Sequence, residues 1–440
     1  MVFDIVGLSL STILNIVCFG MFVFVFLMFL RGVDRSSDKV ERYQKPIMIG
    51  MMIFFIIYQI FLFPNYQEAV DLKKAIDVFF SKGLYFYNFC ESYVCHSYTP
   101  PIYAVVYGAL NYIFPFLDVV YRYKIQTIIP NIIIVYFLYS QISGTRGMFA
   151  ASFLLVNPGY NQYIANIPNL DSFNILIVMI SFMFFEKKHL YIGSMLLAST
   201  ILIRQYSLIF MLPVLLLIYF HNGFRTFLRN AMIMFVTVYM LSLPFLIVGG
   251  YNYIKVVFLN LIVRGGFIIP NPVRPTAFSD TTFSGFWSIL NWLGHFSIIY
   301  IPNLFKFAVV VQIVLLAVFV IMFYSILSKR VRSYWEIGLL GMAVFIFCVP
   351  NNAAYMVMPI LPLVMLIGFM RKIPKTLLTL SVLMPVVYRL AEYVVFFSGS
   401  QLFFLIGDIM LAGTSLGLIL YYTVVGEMID TKTNMLTNHV

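Results

Sequence analysis

Long apolar runs, broken by short polar or basic clusters, set the pattern of this chain. A helix satisfies its own backbone polar groups, so a run of about 20 apolar residues is long enough to cross the hydrocarbon of a bilayer. Dividing the chain on that basis predicts spans near 6–30, 46–63, 123–141, 147–163, 171–185, 189–204, 205–221, 230–249, 305–327, 334–350, 354–370, 375–395 and 401–425. The expected fold is all-α, a polytopic membrane bundle of about thirteen transmembrane helices forming a single membrane domain. Residues 1–45 then form an extra N-terminal transmembrane helix and its following loop.

Two segments between runs are too long for simple turns, 64–122 and 250–304, and both are rich in aromatic residues and proline. Long segments of that composition are usually functional. Within the first, apolar residues at 69, 72, 75, 76, 79 and 80 recur at helical spacing, predicting an amphipathic helix on the membrane surface that ends at Gly83. Glu68 and Asp71, at i and i+3, share one face of it. The stretch 102–120 is apolar but interrupted by Gly108 and Pro115. Counting it as a crossing would reverse every later loop, so it is read as an interfacial or re-entrant helix.

Composition agrees with the pattern. Hydrophobic residues make up 62% of 440 positions and charged residues 10%, against about a quarter charged in soluble domains. The net charge of +11 invites a nucleic-acid reading, but the basic residues are placed by topology. Arg31, Arg35, Lys39, Arg42 and Lys45 follow the first span, and Lys187–Lys188, Arg225/Arg229, Lys329/Arg330/Arg332 and Arg371/Lys372/Lys375 occupy alternate later loops. By the positive-inside rule these loops are cytoplasmic, as is the tail 426–440, and both long segments are external or luminal. The first span is too long for a signal peptide and has no small-residue cleavage site, so it reads as a retained anchor.

Candidate chemistry lies mainly in the long segments. A carboxylate such as Asp71 or Glu68 at the membrane surface can take a proton from an acceptor hydroxyl. The alternative is a solvated helix face in which Asp77 and the lysines are ordinary surface charges. Asp171 opens a predicted span and is either a helix cap or a group facing a site. Arg204, Arg264 and Arg274 are external by this topology, and either a guanidinium there meets the phosphate oxygens of a ligand or the residues bind anionic lipid head groups nonspecifically. Asp408 and the Arg389/Glu392 pair, inside predicted spans, are either a structural i, i+3 contact or an ion path, and are read as structural pairing. Cys90 and Cys95 are either a local disulfide in an oxidising compartment or two free thiols. His96 beside Cys95 has no zinc spacing, so no metal site is assigned. Neither a P-loop, a dinucleotide fingerprint nor an HEXXH motif is present.

Taken in order, Asp71, Gly83, Tyr87 and Tyr98-Thr99-Pro100-Pro101 resemble the first luminal loop of GT-C glycosyltransferases. Asn157-Pro158 with Asn169-Leu170-Asp171 resembles the second luminal turn of those enzymes, and Arg204-Gln205-Tyr206 before Leu212-Pro213 resembles a later external turn. Pro350-Asn351-Asn352-Ala353-Ala354-Tyr355 and Leu361-Pro362 resemble a late luminal turn and the helix after it. These short motifs touch most of the chain from 46 to about 370.

The resemblance implies a polytopic enzyme that takes one hexose, mannose by analogy, from a polyprenyl- or dolichyl-phosphate donor. The acceptor is a lipid-linked glycan or glycolipid, and transfer proceeds with inversion. It implies that Asp71 is the catalytic base, although Asp71 falls a residue or two short of the usual spacing and leaves Glu68 as the alternative. It further implies that Asp171 faces the site, that Arg204, Arg264 and Arg274 meet the donor phosphate, and that Tyr98, His96, Asn351, Asn352 and Tyr355 line the acceptor and sugar pocket. Where relatives carry a paired Asp-X-Asp this chain has none, and a divalent cation is not indicated. The implied location is the cell membrane of a prokaryote or the ER membrane of a eukaryote, with the site external or luminal. The competing readings are a polymerase or ligase of lipid-linked glycans, and a transporter or lipid flippase. A transporter is disfavoured by the lack of an internal repeat.

Overall fold

A computed structural model describes residues 2–32, 38–62, 66–88, 101–142, 144–166, 170–204, 207–254, 257, 324–325, 331, 333–348, 360–370, 373–398 and 402–425. All regular structure among them is helical. The helices are α1 (Val2–Leu30), α2 (Asp38–Phe61), α3 (Tyr66–Lys82), α4 (Pro101–Ile113), α5 (Val119–Gln141), α6 (Thr145–Val156), α7 (Pro158–Asn166) and α8 (Asp171–Glu186). They continue with α9 (Leu190–Ile201), α10 (Leu208–Asn222), α11 (Phe224–Ile254), α12 (Tyr334–Cys348), α13 (Ile360–Phe369), α14 (Lys375–Ser398) and α15 (Leu402–Leu420).

Four helical stretches among the described residues are long and apolar enough to cross a membrane: Leu10–Leu30, Tyr43–Phe61, Phe224–Ile254 and Leu405–Thr423. Large apolar side chains stand outward on them, among them Ile16, Phe24, Ile53, Phe235 and Ile247. Shorter apolar helices pack between, including Thr145–Val156, Leu190–Ile201, Leu208–Asn222 and Ile360–Phe369. One large core joins them, with Phe153, Phe182, Leu217, Leu340 and Leu366 fully enclosed.

The run 147–163, expected as one span, is two helices. Pro158 is the first residue of α7, where its missing N–H costs nothing, and Asn157 is its cap: Asn157 Oδ1 accepts from the Tyr160 amide at 3.0 Å. Gly159 lets α7 meet α14 backbone to backbone, since a Cβ there would lie 2.1 Å from the Pro385 carbonyl.

The interfacial stretch expected over 102–120 is α4, 13 residues long, followed by a turn and then α5. At about 1.5 Å per residue α4 is too short to cross a bilayer. Arg122 pins the turn, donating to Leu117 O at 2.6 Å, Pro115 O at 3.2 Å and Asn111 Oδ1 at 2.9 Å. The turn presents Tyr112 and Phe116, 88% and 78% exposed.

Side-chain contacts define two ends of the bundle. At one end the Lys124 ammonium meets the C-terminus of α2. At the other, Phe137 lies against Trp335 and Phe185 stacks on Tyr334. Glu186 there accepts from the Tyr334 amide at 2.7 Å, and Lys375 Nζ donates to Phe29 O at 2.9 Å, at the C-terminus of α1. Lys187 and Lys188 follow Glu186, and Arg225 and Arg229 open α11 close to the Ser194–Asn230 hydrogen bond, so these basic residues gather at the Lys375 end.

Candidate functional site

The end of the bundle where α2 stops holds buried polar groups, among them Lys124, Asn131, Asp171, Ser172 and Asn174. Asp171 is the first residue of α8, and the position before it is Leu170, so Asp171 is not the helix cap. Its carboxylate turns instead to Arg204, which follows α9 after a tight turn in which the Arg204 amide bonds Thr200 O. Arg204 Nη2 donates to Asp171 Oδ2 at 3.0 Å, and Nε lies 2.8 Å from Oδ1 in a close charge contact off the line of a hydrogen bond. The side chains are 14% and 8% exposed. The carboxylate also suits the N-terminal end of α8, where backbone N–H groups face outward.

Polar side chains extend from this pair into the bundle. One turn along α8, Asn174 Nδ2 donates to Ser207 Oγ at 2.8 Å, and the Ser207 amide returns to Arg204 O at 3.0 Å. Beside Asp171, Ser172 Oγ accepts from Asn131 Nδ2 at 2.8 Å, and Asn131 Oδ1 accepts from Tyr160 Oη at 2.6 Å. Helices α5, α7, α8 and α9 are thus tied together around one carboxylate and one guanidinium.

Helix α3, which carries Glu68 and Asp71, belongs to the same end. Ile76 is buried in a cluster with Tyr107 of α4, Val119, Val120 and Tyr123 of α5, Leu170 and Ile203. Leu170 and Ile203 are the immediate neighbours of Asp171 and Arg204 in sequence. The other end of α3 runs into a 3-10 turn, Gly83–Asn88, at a left-handed Gly83 with φ +54°, as the sequence predicts. Phe79, Phe86 and Tyr87 dock there on Phe245 and Tyr253 of α11, with Tyr87 and Tyr253 rings 4.8 Å apart. On its outer face, Asp77 pairs with Lys73 at 2.8 Å, an exposed i, i+4 contact.

Of the residues singled out in the sequence, Asp171 and Arg204 meet directly, and Asp71 and Glu68 lie on the helix packed beside them. The side chains of Asp71 and Glu68 lie outside the described set, as do residues Arg264, Arg274, Tyr98, His96, Asn351, Asn352, Tyr355, Cys90 and Cys95. Cys18 is a buried free thiol 3.4 Å from Val156 O. Arg389 bonds Gln162 Oε1 and sits 5.6 Å from the Tyr163 ring centre, a tie from α14 to α7. Asp408 is buried in α15. Among the described residues no group of three or more His, Cys, Asp or Glu is placed to hold a metal ion.

Sequence reasoning passed over Asn131, Tyr160, Asn174 and Lys124. Lys124 carried a usable signal, because a lysine inside an apolar run must find partners. Among known proteins, no family model matches the chain and no curated protein matches it.

Proposed function

We propose that this chain is a membrane glycosyltransferase of the GT-C type, which transfers one hexose from a polyprenyl-phosphate carrier to a hydroxyl of a lipid-linked or glycolipid acceptor. The observation that supports it is the convergence at one end of the bundle of α3 with the Asp171–Arg204 pair, in a shared packed cluster. Under this reading the chain crosses the membrane about thirteen times. The basic end that holds Lys187, Lys188, Arg225, Arg229 and Lys375 is cytoplasmic, and the Asp171–Arg204 end is external or luminal.

The chemistry balances without a further reactant. Asp71, or Glu68 in its place, accepts the proton of the acceptor hydroxyl as the oxygen attacks the anomeric carbon opposite the phosphate. The new C–O bond forms as the bond to the carrier phosphate breaks, the phosphate leaves with the electron pair, and attack from the opposite face inverts the anomeric centre. Arg204, joined by Arg264 or Arg274, stabilises charge on the departing oxygen. Asp171 holds the guanidinium by its Nε and Nη2 side.

The test is direct. Purified protein in lipid nanodiscs is incubated with a radiolabelled polyprenyl-phosphate hexose and candidate lipid acceptors, and the product is sized. Addition of a single sugar supports the reading, a ladder of products moves it to a polymerase, and no transfer with any donor or acceptor removes it. Asp71→Asn is expected to lower turnover at least about a hundredfold while the protein still inserts and folds. Retained turnover would pass the role of base to Glu68. Arg204→Ala is expected to weaken donor binding about tenfold or more, the loss of a charge-assisted contact.

A further inference from the structure

We propose that Lys124 is a positioning residue: by sealing the C-terminus of α2, its ammonium group fixes the register of α3 beside the Asp171–Arg204 pair. Its expected effect on turnover presupposes the glycosyltransferase reading, whereas its expected effect on α3 does not.

Lys124 lies near the start of α5 and is only 3% exposed. Its three N–H groups meet three carbonyls at the end of α2: Gln59 O at 2.5 Å, Ile60 O at 3.2 Å and Leu62 O at 2.6 Å. A buried cation is costly unless its charge and every donor are answered. A helix C-terminus answers both, because its last carbonyls have no partner within the helix and carry partial negative charge. The match of three donors to three acceptors is also directional. Sliding α2 by one residue moves its end about 1.5 Å and strands the ammonium.

That fixed point lies just before the carboxylate-bearing helix. Leu62 precedes Tyr66, where α3 begins, by a short link. The second fixed point comes from the preceding residue of α5: Tyr123 packs with Ile76 of α3 and meets the Tyr107 ring edge-on at 4.6 Å. Leu170 and Ile203 belong to the same cluster. One turn of α5 therefore holds the approach to α3, the seat of α3 and the neighbours of Asp171 and Arg204. An apolar residue at 124 would fill the space and leave the α2 carbonyls without donors.

The experiment is hydrogen–deuterium exchange on the full chain in nanodiscs, comparing Lys124→Met, Lys124→Gln and Lys124→Arg with the parent. Amides of α3 are expected to exchange about tenfold faster in Lys124→Met, the loss of one or two charge-assisted hydrogen bonds, while α8 and α9 keep their protection. Lys124→Arg, which keeps a charged donor, is expected to restore most of it. In the transfer assay, Lys124→Met is expected to lower kcat about tenfold with donor KM changed less than about twofold, since Arg204 is untouched. Unchanged protection of α3 would overturn the proposal. So would equal loss across α3, α8 and α9, or failure of both Lys124→Met and Lys124→Gln to accumulate, because Lys124 would then serve the whole fold. A parent protein with no transferase activity would remove the functional reading and leave the exchange result to stand by itself.

Discussion

Asp171 and Arg204 neutralise each other where both side chains are largely enclosed, and that fixes the cost of changing either one. Removing one member of such a pair leaves a lone charge in a poorly hydrated place, at about 3 kcal/mol. Asp171→Asn is therefore expected to lower the thermal unfolding midpoint in detergent, and Arg204→Gln to do the same. The double variant should recover more than half of the summed loss, and a double-mutant cycle measures it. Additive losses would mean that the pair contributes nothing to the fold. Each residue stood out singly in the sequence, one by its place at a helix start and one as an arginine against the charge bias. Their pairing across 33 positions was not legible, because no local pattern joins the turn after α9 to the start of α8. The hydrogen bonds of Asn131, Tyr160 and Asn174 were equally hidden, since a polar residue in an apolar run announces a partner without saying which.

At the scale of elements, the described helices lie on the apolar runs, the expected span 305–327 lies almost wholly outside the described residues, and the division of 147–163 into two helices has a local cause. Asn157-Pro158 is a cap followed by a helix start, a signal as strong as the apolar run it interrupts. The same holds at α12, where Ser333 and Glu336 form a reciprocal cap: the Ser333 amide donates to Glu336 Oε2 at 3.1 Å and the Glu336 amide to Ser333 Oγ at 3.2 Å. Ser333→Ala is expected to cost about 1 kcal/mol, read as a lower unfolding midpoint, while Ser333→Asp should be nearly neutral. Gly159 is a sharper case. The added methyl of Gly159→Ala meets backbone rather than a movable side chain, so α7 and α14 must separate, at about 1–3 kcal/mol. The close approach was not legible, because nothing in the sequence places Gly159 opposite Pro385.

Over the whole molecule, the large core that runs through the bundle contrasts with two small clusters that seat α3 between α5 and α11. Small clusters open more readily than large cores, so α3 is expected to exchange its amides faster than α8 or α9 in the unmodified protein, measurable in the same nanodisc experiment. Sidedness is tested separately. In intact cells or sealed microsomes, a membrane-impermeant maleimide is expected to label Lys188→Cys only from the cytoplasmic side and Tyr112→Cys only from the opposite side, in a background whose native cysteines are replaced. The reverse pattern would place the Asp171–Arg204 end in the cytosol. The helical character of the described residues was legible because apolar composition and run length leave few alternatives. The site was legible only as scattered turns, since its neighbours come from α3, α5, α8 and α9 and meet only when the bundle closes.

The two lysine seals also differ in when they become available. Lys124 reaches back 65 positions to Gln59, so that joint closes soon after α5 is made. Lys375 reaches back 346 positions to Phe29, and at about 5–20 residues per second the end of α1 waits tens of seconds for it. A nascent chain thus completes the Lys124 joint early and carries the first helix with an unfinished end through most of its synthesis, the interval in which a chaperone or quality-control protease has the most backbone to grip.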